Sequence, residues 1–199
     1  MTHQVHAFEP PERFVAGTVG TPGERTFFLQ ASGNGRTVSV ALEKVQVSLL
    51  AEKLEELLTE AQRRFGVDLP EGIASSDNEP LETPVDEEFR VGTLGLAYDV
   101  DTSTVVIEAI AAGDADLDDD ELEAAAAEVE AEAVEEEDED EEPDDDLDRL
   151  RVRLTPQATR DFIDRARRVV AAGRPPCPLC GQPLDPRGHL CPRHNGYHR

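Results

Sequence analysis

The feature that most constrains this chain is an acidic segment near its middle. Residues 114–148 contain 22 Asp and Glu side chains and no Lys or Arg. Such a block of like charge repels itself and has too few apolar side chains to form a core. We therefore predict that this segment is disordered and that the folded part of the protein is built from the residues on either side of it.

The charge of the remaining chain is unevenly distributed. The 199 residues carry a net charge of −25, but residues 1–113 hold 19 acidic and 8 basic side chains. Residues 149–199 hold 11 arginines against three aspartates, so this zone is basic. Most of the negative charge therefore belongs to the acidic segment, and the net charge is a poor guide to binding partners.

The sequence also bears on the compartment of the protein. No apolar run approaches the roughly 20 residues that span a bilayer, and the N-terminus lacks the basic and apolar regions of a secretory signal. The three cysteines, Cys177, Cys180 and Cys191, cluster in the last 23 residues. Disulfide frameworks of secreted domains are spread more widely. We therefore expect a cytoplasmic protein whose cysteines bind metal, with no membrane association.

A Phe-x-x-Gly-Thr-aliphatic-Gly pattern occurs twice, at residues 14–20 and 89–95. Two β-rich runs follow each copy and are joined by turn residues, which predicts a hairpin in each case. The runs are 25–31 and 36–42 in the first copy, and 94–100 and 104–110 in the second. The glycines are expected to mark a bulge, a bend or a close backbone approach. Internal duplication explains the pattern, and chance similarity of two Gly-Thr strands is the alternative.

The first copy is predicted to end in a short strand and a helix. Residues 45–47 form the strand, and Ser48 is the expected N-cap. Apolar side chains then recur at helical spacing as far as Phe65, and Gly66 stands where a left-handed glycine ends a helix.

The second copy is predicted to end in the same way, beyond the acidic segment. Residues 150–154 alternate as a strand, Thr155 is the expected N-cap, and Pro156 occupies the first helical position. Gly173 is expected to end this helix.

These elements predict an α+β fold, in which two repeated β-rich halves form an antiparallel sheet and a helix follows each half. A small C-terminal zinc knuckle completes it. The predicted organisation is an α+β body over 1–113, an acidic insertion over 114–148, a closing strand and helix over 149–174, and a zinc-binding tail over 175–199.

The tail carries the most specific chemical signal. The Cys-x-x-Cys spacing of Cys177 and Cys180 lets two thiolates bind one ion, as in a zinc knuckle. Cys191 is a third ligand, and either His194 or His189 completes a tetrahedral Cys3His site. Four protein ligands leave no open position, so the predicted Zn²⁺ is structural. A redox Cys-x-x-Cys motif and free thiols are the alternatives. A redox motif normally follows a strand, whereas two prolines precede Cys177 here.

The chain resembles a known family. The stretches that carry the resemblance are HAFEPPERFVAGTVG, RTFFLQA, FRVGTLGLAYD, RPPCPLCG and GHLCPRHNGY. They are similar to uncharacterised actinobacterial proteins, a domain family of unknown function that ends in a Cys-x-x-Cys zinc-ribbon-like tail. The resemblance leaves out the acidic segment. It implies a histidine before the third cysteine and so favours His189, whereas the spacing argument favours His194. It implies no activity.

Two classes of function remain open. The first is a non-enzymatic zinc-binding adaptor or regulatory protein that has a protein partner. In one version it binds nucleic acid through arginines and is autoinhibited by the acidic insertion. The arginines are Arg149, Arg151, Arg153, Arg165, Arg167 and Arg168. Arginines that alternate on one strand also fit a simple solvated face.

The second class is a divalent-metal enzyme that acts on phosphorylated substrates. Five acids flank the second copy and could hold a metal ion, although capping and turn roles explain them as well. They are Asp86, Glu87, Glu88, Asp99 and Asp101. No catalytic motif accompanies them, so an enzymatic activity stays open. His3 and His6 are expected to be exposed.

Overall fold

The computed structural model describes residues 3–21, 23–69, 72, 74, 76–113, 131–132, 147–173 and 179, with only the backbone of 131–132. The strands are β1 (Val5–Phe8), β2 (Arg13–Val19), β3 (Thr26–Gly33), β4 (Arg36–Leu42), β5 (Glu87–Asp99), β6 (Thr104–Ala111), β7 (Ala131–Glu132) and β8 (Arg149–Leu154). The helices are α1 (Lys44–Phe65) and α2 (Pro156–Ala171). The protein is therefore of the mixed α+β class, as predicted.

Seven strands form one sheet in the order β1-β8-β6-β5-β4-β3-β2, and β7 pairs with β5 beside this path. The strands β2, β3 and β4 are antiparallel neighbours and lead into α1. The strands β5, β6 and β8 are likewise antiparallel and lead into α2. The halves meet where β4 and β5 run parallel, and β1 runs parallel to β8, so the prediction of an antiparallel sheet is wrong and the sheet is mixed. Both halves thus have three antiparallel strands and a helix, while their origin by duplication stays a prediction.

The start of α1 differs from the prediction. The expected strand at 45–47 and the Ser48 cap are wrong, because α1 begins at Lys44 with Glu43 as its N-cap. Glu43 and Gln46 form a capping box, in which the backbone amide of Glu43 donates to Oε1 of Gln46 at 2.8 Å. Residues 45–47 are too few to establish the two-residue period of a strand, and the capping box of Glu43 and Gln46 favours a helix here. Gly66 ends the helix with a φ of 66°, as predicted.

The start of α2 is as predicted. Thr155 is the N-cap, its side chain accepts a hydrogen bond from the amide of Ala158, and Pro156 is in the first turn. The helix ends two residues before the expected Gly173, with Ala172 as its C-cap.

Two glycines of the repeated pattern avoid steric conflict for different reasons. A Cβ on Gly17 would lie 2.5 Å from the side chain of Leu81, so a neighbouring segment packs directly on this strand. Gly92 sits where the β5–β6 register shifts, and a Cβ there would lie 2.9 Å from Cα of Ala112. The predicted bulge and close backbone approach are therefore both confirmed at Gly92, whereas Gly17 makes room for a side chain instead.

The main core needs both sides of the acidic segment. Buried side chains from the strands meet those of α1 and α2 in one cluster, which includes Leu150, Val152 and Phe162. The rings of Phe14 and Phe162 stack with centroids 4.7 Å apart. The acidic segment connects the hydrogen-bonded neighbours β6 and β8, and the amide of Ala111 donates to the carbonyl of Asp148 at 2.8 Å. Across the described ranges, no helix is long and apolar enough to cross a membrane.

Candidate functional site

The segment between α1 and β5 crosses the face of the sheet opposite the helices. Leu81 packs there in a second small core with Val15, Phe28 and Ala41. The backbone of Glu82 exchanges hydrogen bonds of 2.8 and 3.0 Å with the buried amide of Gln30. This arrangement fixes residues 76–86 against strands β2 to β4.

The carboxylate of Glu82 is held by two hydroxyls. Thr37 donates to it at 2.8 Å and Ser32 at 3.0 Å. These hydrogen bonds, that of Thr37 first, hold the pKa of Glu82 below its usual range. The carboxylate of Glu82 is therefore a hydrogen-bond acceptor held in a fixed position on the surface of the sheet.

Arg165 of α2 reaches the same segment from the helix side. Its Nε donates to the carbonyl of Ala16 on β2 at 2.9 Å. Its Nη1 donates to the carboxylate of Asp77 at 2.6 Å and its Nη2 to the carbonyl of Glu79 at 2.7 Å. The residue is only 6% exposed, and this burial lowers its pKa, although a guanidinium stays charged. With the hydrogen bond of 2.7 Å from Nη1 to the carbonyl of Asp77, four carbonyl or carboxylate contacts make it a structural cation.

Arg13 on β2 completes the cluster. Its Nε donates to Asp77 at 2.7 Å, and its Nη2 donates to the carbonyls of Glu79 and Pro80 at 3.0 and 3.1 Å. The hydrogen bond from Arg13, with the charge of Arg165, holds the pKa of Asp77 below its usual value. The cluster covers the edge strand β2 with a loop, which is one way proteins block edge-to-edge pairing.

The other arginines of the predicted nucleic-acid interface also form contacts within the chain. Arg151 lies 3.4 Å from Glu9 and from Glu108, and Arg168 lies 2.8 Å from Asp164. Arg153 pairs with Asp99, and Arg167 pairs with Glu55. Arg149 is 9% exposed. The structure thus places these side chains in ion pairs within the chain or in the interior.

The five acids proposed to share a metal ion are not brought together. Glu87 and Glu88 begin β5, whereas Asp99 ends it and Asp101 follows in the turn. Thirteen residues of strand span about 40 Å at roughly 3.3 Å per residue. The expectation of one shared site is therefore wrong, and the described residues contain no group of three or more His, Cys, Asp or Glu able to hold a metal.

Asp99 instead anchors the turn after β5. The backbone amide of Thr102 donates to it at 3.0 Å, and Arg153 on β8 pairs with it. These contacts, with Thr102 first, lower the pKa of Asp99 to about 2. The carboxylate therefore joins two strands of the sheet.

His6 also departs from expectation. Its side chain is 3% exposed rather than exposed, because it shares a face of β1 with the buried Phe8. Neither ring nitrogen has a hydrogen-bond partner among the described residues, and Nε2 lies 3.6 Å from Oε1 of Glu88. The alternation of Val5, His6, Ala7 and Phe8 was the signal that could have revealed this burial.

The predicted zinc ligands Cys177, Cys180, His189, Cys191 and His194 lie outside the described residues. The zinc site and the choice between the two histidines therefore stay predictions.

A cleft that the sequence did not reveal lies where α1 begins and α2 ends. Its volume is about 670 Å³, and it is lined by Gly23, Arg25, Phe27, Lys44, Val170, Ala171 and Gly173. Nη1 of Arg25 donates to the carbonyl of Ala172 at 2.9 Å, and its guanidinium lies 5.3 Å from the centroid of the Phe27 ring. Arg25 therefore caps the C-terminal end of α2 while it lines the cleft.

Comparison with known protein families gives a match over most of the chain. A family model described as "Protein of unknown function (DUF3090)" matches residues 6–191. No curated protein and no solved structure matches the chain.

Proposed function

Because the chain belongs to the DUF3090 family, whose function is unknown, we propose a function from its own residues. It is a non-enzymatic zinc-binding adaptor or regulatory protein. Its structural Cys3His site is formed by Cys177, Cys180 and Cys191 with His189 or His194.

The observation that carries this proposal is that the core formed by the described residues ends within α2, before the tail begins. The last buried core side chain of α2 is Ala166, and Val169 and Val170 pack against the same cluster. A short tail with few apolar residues cannot build a core of its own, whereas zinc binding worth about 10–16 kcal/mol in apparent terms would order it.

The ligand set supports a structural role for the metal. Three thiolates and one imidazole fill a tetrahedral Zn²⁺ shell and leave no position for water or substrate. Such a knuckle presents a rigid surface, and recognition of a protein partner is the function that this chemistry supports best.

Zinc content is the deciding measurement. We expect one zinc per chain by elemental analysis of protein purified without added metal, and loss of the metal in Cys177→Ser. His189→Ser and His194→Ser, made separately, identify the fourth ligand, with His198→Ser as the matched control. Cobalt substitution should give thiolate-to-metal charge-transfer absorption. Purified wild-type protein that neither carries nor takes up one equivalent of metal would falsify the proposal.

The nucleic-acid version of the function is less well supported. Phosphates would have to displace carboxylates from Arg151, Arg153 and Arg167, which are already in ion pairs. A salt titration of binding to a mixed-sequence duplex tests it, with and without residues 114–146. Salt-dependent binding that Arg151→Gln weakens would favour this version over a protein partner.

A further inference from the structure

The cleft between the start of α1 and the end of α2 is lined by two cations and by no acid. Arg25 and Lys44 are the charged residues of its lining, and its volume is about 670 Å³. Sites for small molecules occupy about 300–1,000 Å³. The acid that precedes Lys44 in the chain, Glu43, is not part of the lining and pairs with Arg90 at 2.8 Å. The lining therefore carries two positive charges that its own residues do not neutralise.

Arg25 is held in a fixed position in the cleft. Its Nη1 donates to the carbonyl of Ala172 at 2.9 Å, and its guanidinium lies 5.3 Å from the centroid of the Phe27 ring. A guanidinium has five N–H donors, of which this hydrogen bond uses one. Arg25 can therefore bind an oxyanion without losing the contact that positions it.

Lys44 reaches the same part of the backbone from the other helix. A Cβ built on Gly173 would lie 4.0 Å from Nζ of Lys44, and Gly173 directly follows Ala172, which Arg25 contacts. These distances and the dimensions of one peptide unit place the two cationic groups within about 11 Å of each other. Among the residues that the structure describes, Lys44 has no ion-pair partner. One ligand in the cleft can therefore contact both cations.

We propose that this cleft binds a phosphomonoester, a small molecule in which a phosphate group is joined to a flat apolar body. A phosphate monoester carries a charge of about −1.5 to −2 at pH 7, which matches two cations better than the single charge of a carboxylate or a sulfate ester. Arginine binds phosphate oxygens through its planar fork, and lysine acts on them as a point charge. Such a ligand would give the proposed regulatory protein a small-molecule input that is separate from zinc.

The apolar part of the lining suits the body of this ligand. Phe27 and Val170 line the cleft together with the two cations. Phe27 is 6% exposed and belongs to the main core, so its ring forms a fixed wall. A flat ring that packs against this wall leaves water, which favours binding.

The test is an NMR titration of the full-length protein with phenyl phosphate, which has both a dianionic phosphate and a flat ring. We expect saturable changes in the amide signals of Phe27, Lys44 and Gly173. Methyl phosphate lacks the ring, and phenyl sulfate lacks the second negative charge. Both should therefore bind more weakly than phenyl phosphate.

Two variants on α1 test the role of the charge. In Lys44→Gln we expect roughly tenfold weaker binding of phenyl phosphate, because a charge-assisted hydrogen bond to the phosphate is lost. Lys53→Gln is the matched control, since Lys53 pairs with Glu56 at 2.8 Å and does not line the cleft, and it should bind as wild type does. Lys44 is exposed, so its replacement should leave the amide spectrum of the rest of the protein unchanged.

Tightest binding of phenyl phosphate, with changes confined to the cleft and a loss in Lys44→Gln alone, would support the site. Equal affinity of wild type and Lys44→Gln, or no change at the cleft, would overturn it. Phenyl sulfate or methyl phosphate that binds as tightly as phenyl phosphate would overturn the assignment to a phosphomonoester. None of these results depends on the zinc content, so this proposal and the proposed function can fail separately.

Discussion

Nε of Arg165 donates a hydrogen bond to the carbonyl oxygen of Ala16, a residue 149 positions earlier in the chain. The contact joins α2, which follows the acidic segment, to the edge strand β2, which begins the main meander. The same guanidinium holds Asp77 and Glu79 of the segment that crosses the outer face. One buried cation thus ties together three parts of the chain that are far apart in sequence.

Arg165→Gln should destabilise the protein strongly. The change leaves buried carbonyls and part of the Asp77 charge without their partner, and losses of this kind cost about 3–5 kcal/mol. The free energy of unfolding from urea titration is the measurement. Arg160→Gln on the same helix should stay within about 0.5 kcal/mol of wild type, because no carboxylate is paired with Arg160 in the described residues. Equal effects of the two changes would contradict the structural role of Arg165.

Gly17→Ala and Gly95→Ala should differ, although both glycines belong to the repeated pattern. A Cβ at Gly17 meets Leu81 at 2.5 Å, so we expect a cost of about 1–3 kcal/mol from overpacking. A Cβ at Gly95 meets Cβ of Glu108 at 3.7 Å, an ordinary contact, so the change should be near neutral. Thermal unfolding of both variants measures this. Adding Leu81→Ala to Gly17→Ala should relieve the overlap, and an additive loss instead would refute the explanation.

Acid should weaken the fold through Asp99. Its pKa is about 2 in the folded protein against about 4 in an unfolded chain. A depressed carboxyl pKa contributes stability that is full above the unfolded value and is lost as pH falls through the folded value. Asp99→Asn should therefore reduce the slope of unfolding free energy against pH between about pH 4 and pH 2. Urea titrations at stepped pH measure the slope, and an unaltered slope would rule out this contribution.

Cleavage inside the acidic segment should leave the two parts of the chain together. The strand β8 pairs with β6 and β1, and α2 packs in the main core, so both fragments share one hydrophobic cluster. A site-specific protease sequence inserted between Ala124 and Ala125 provides the cut. Size-exclusion chromatography should show one species in buffer and two in denaturant. Fragments that separate in buffer while each stays folded would show two independent domains instead.

Local signals in the sequence determined the elements that depend on a few neighbouring residues. Thr155 and Pro156 begin α2, Gly66 ends α1, and Asn34 and Gly35 adopt positive φ values of 55° and 72° in the β3–β4 turn. A cap, a turn or a helical period depends on residues within about five positions of one another, so the sequence alone is enough to predict these elements.

The acidic segment could also be identified from the sequence alone, because its charge density follows from counting acidic and basic residues. The sequence also predicted a strand on each side of this segment, and only the structure shows that these strands, β6 and β8, are hydrogen-bonded neighbours.

The partners of the charged side chains were decided by tertiary structure alone. The sequence suggested Arg151, Arg153 and Arg165 as phosphate-binding cations and Asp99 as a metal ligand, and the fold pairs each of them within the chain. Which carboxylate meets which guanidinium depends on the path of segments far apart in sequence. In a low-dielectric interior, a charge must find such a partner for the fold to be stable. The cleft at Arg25 and Lys44 has the same origin, because it exists only where the ends of two helices, more than a hundred residues apart, come together.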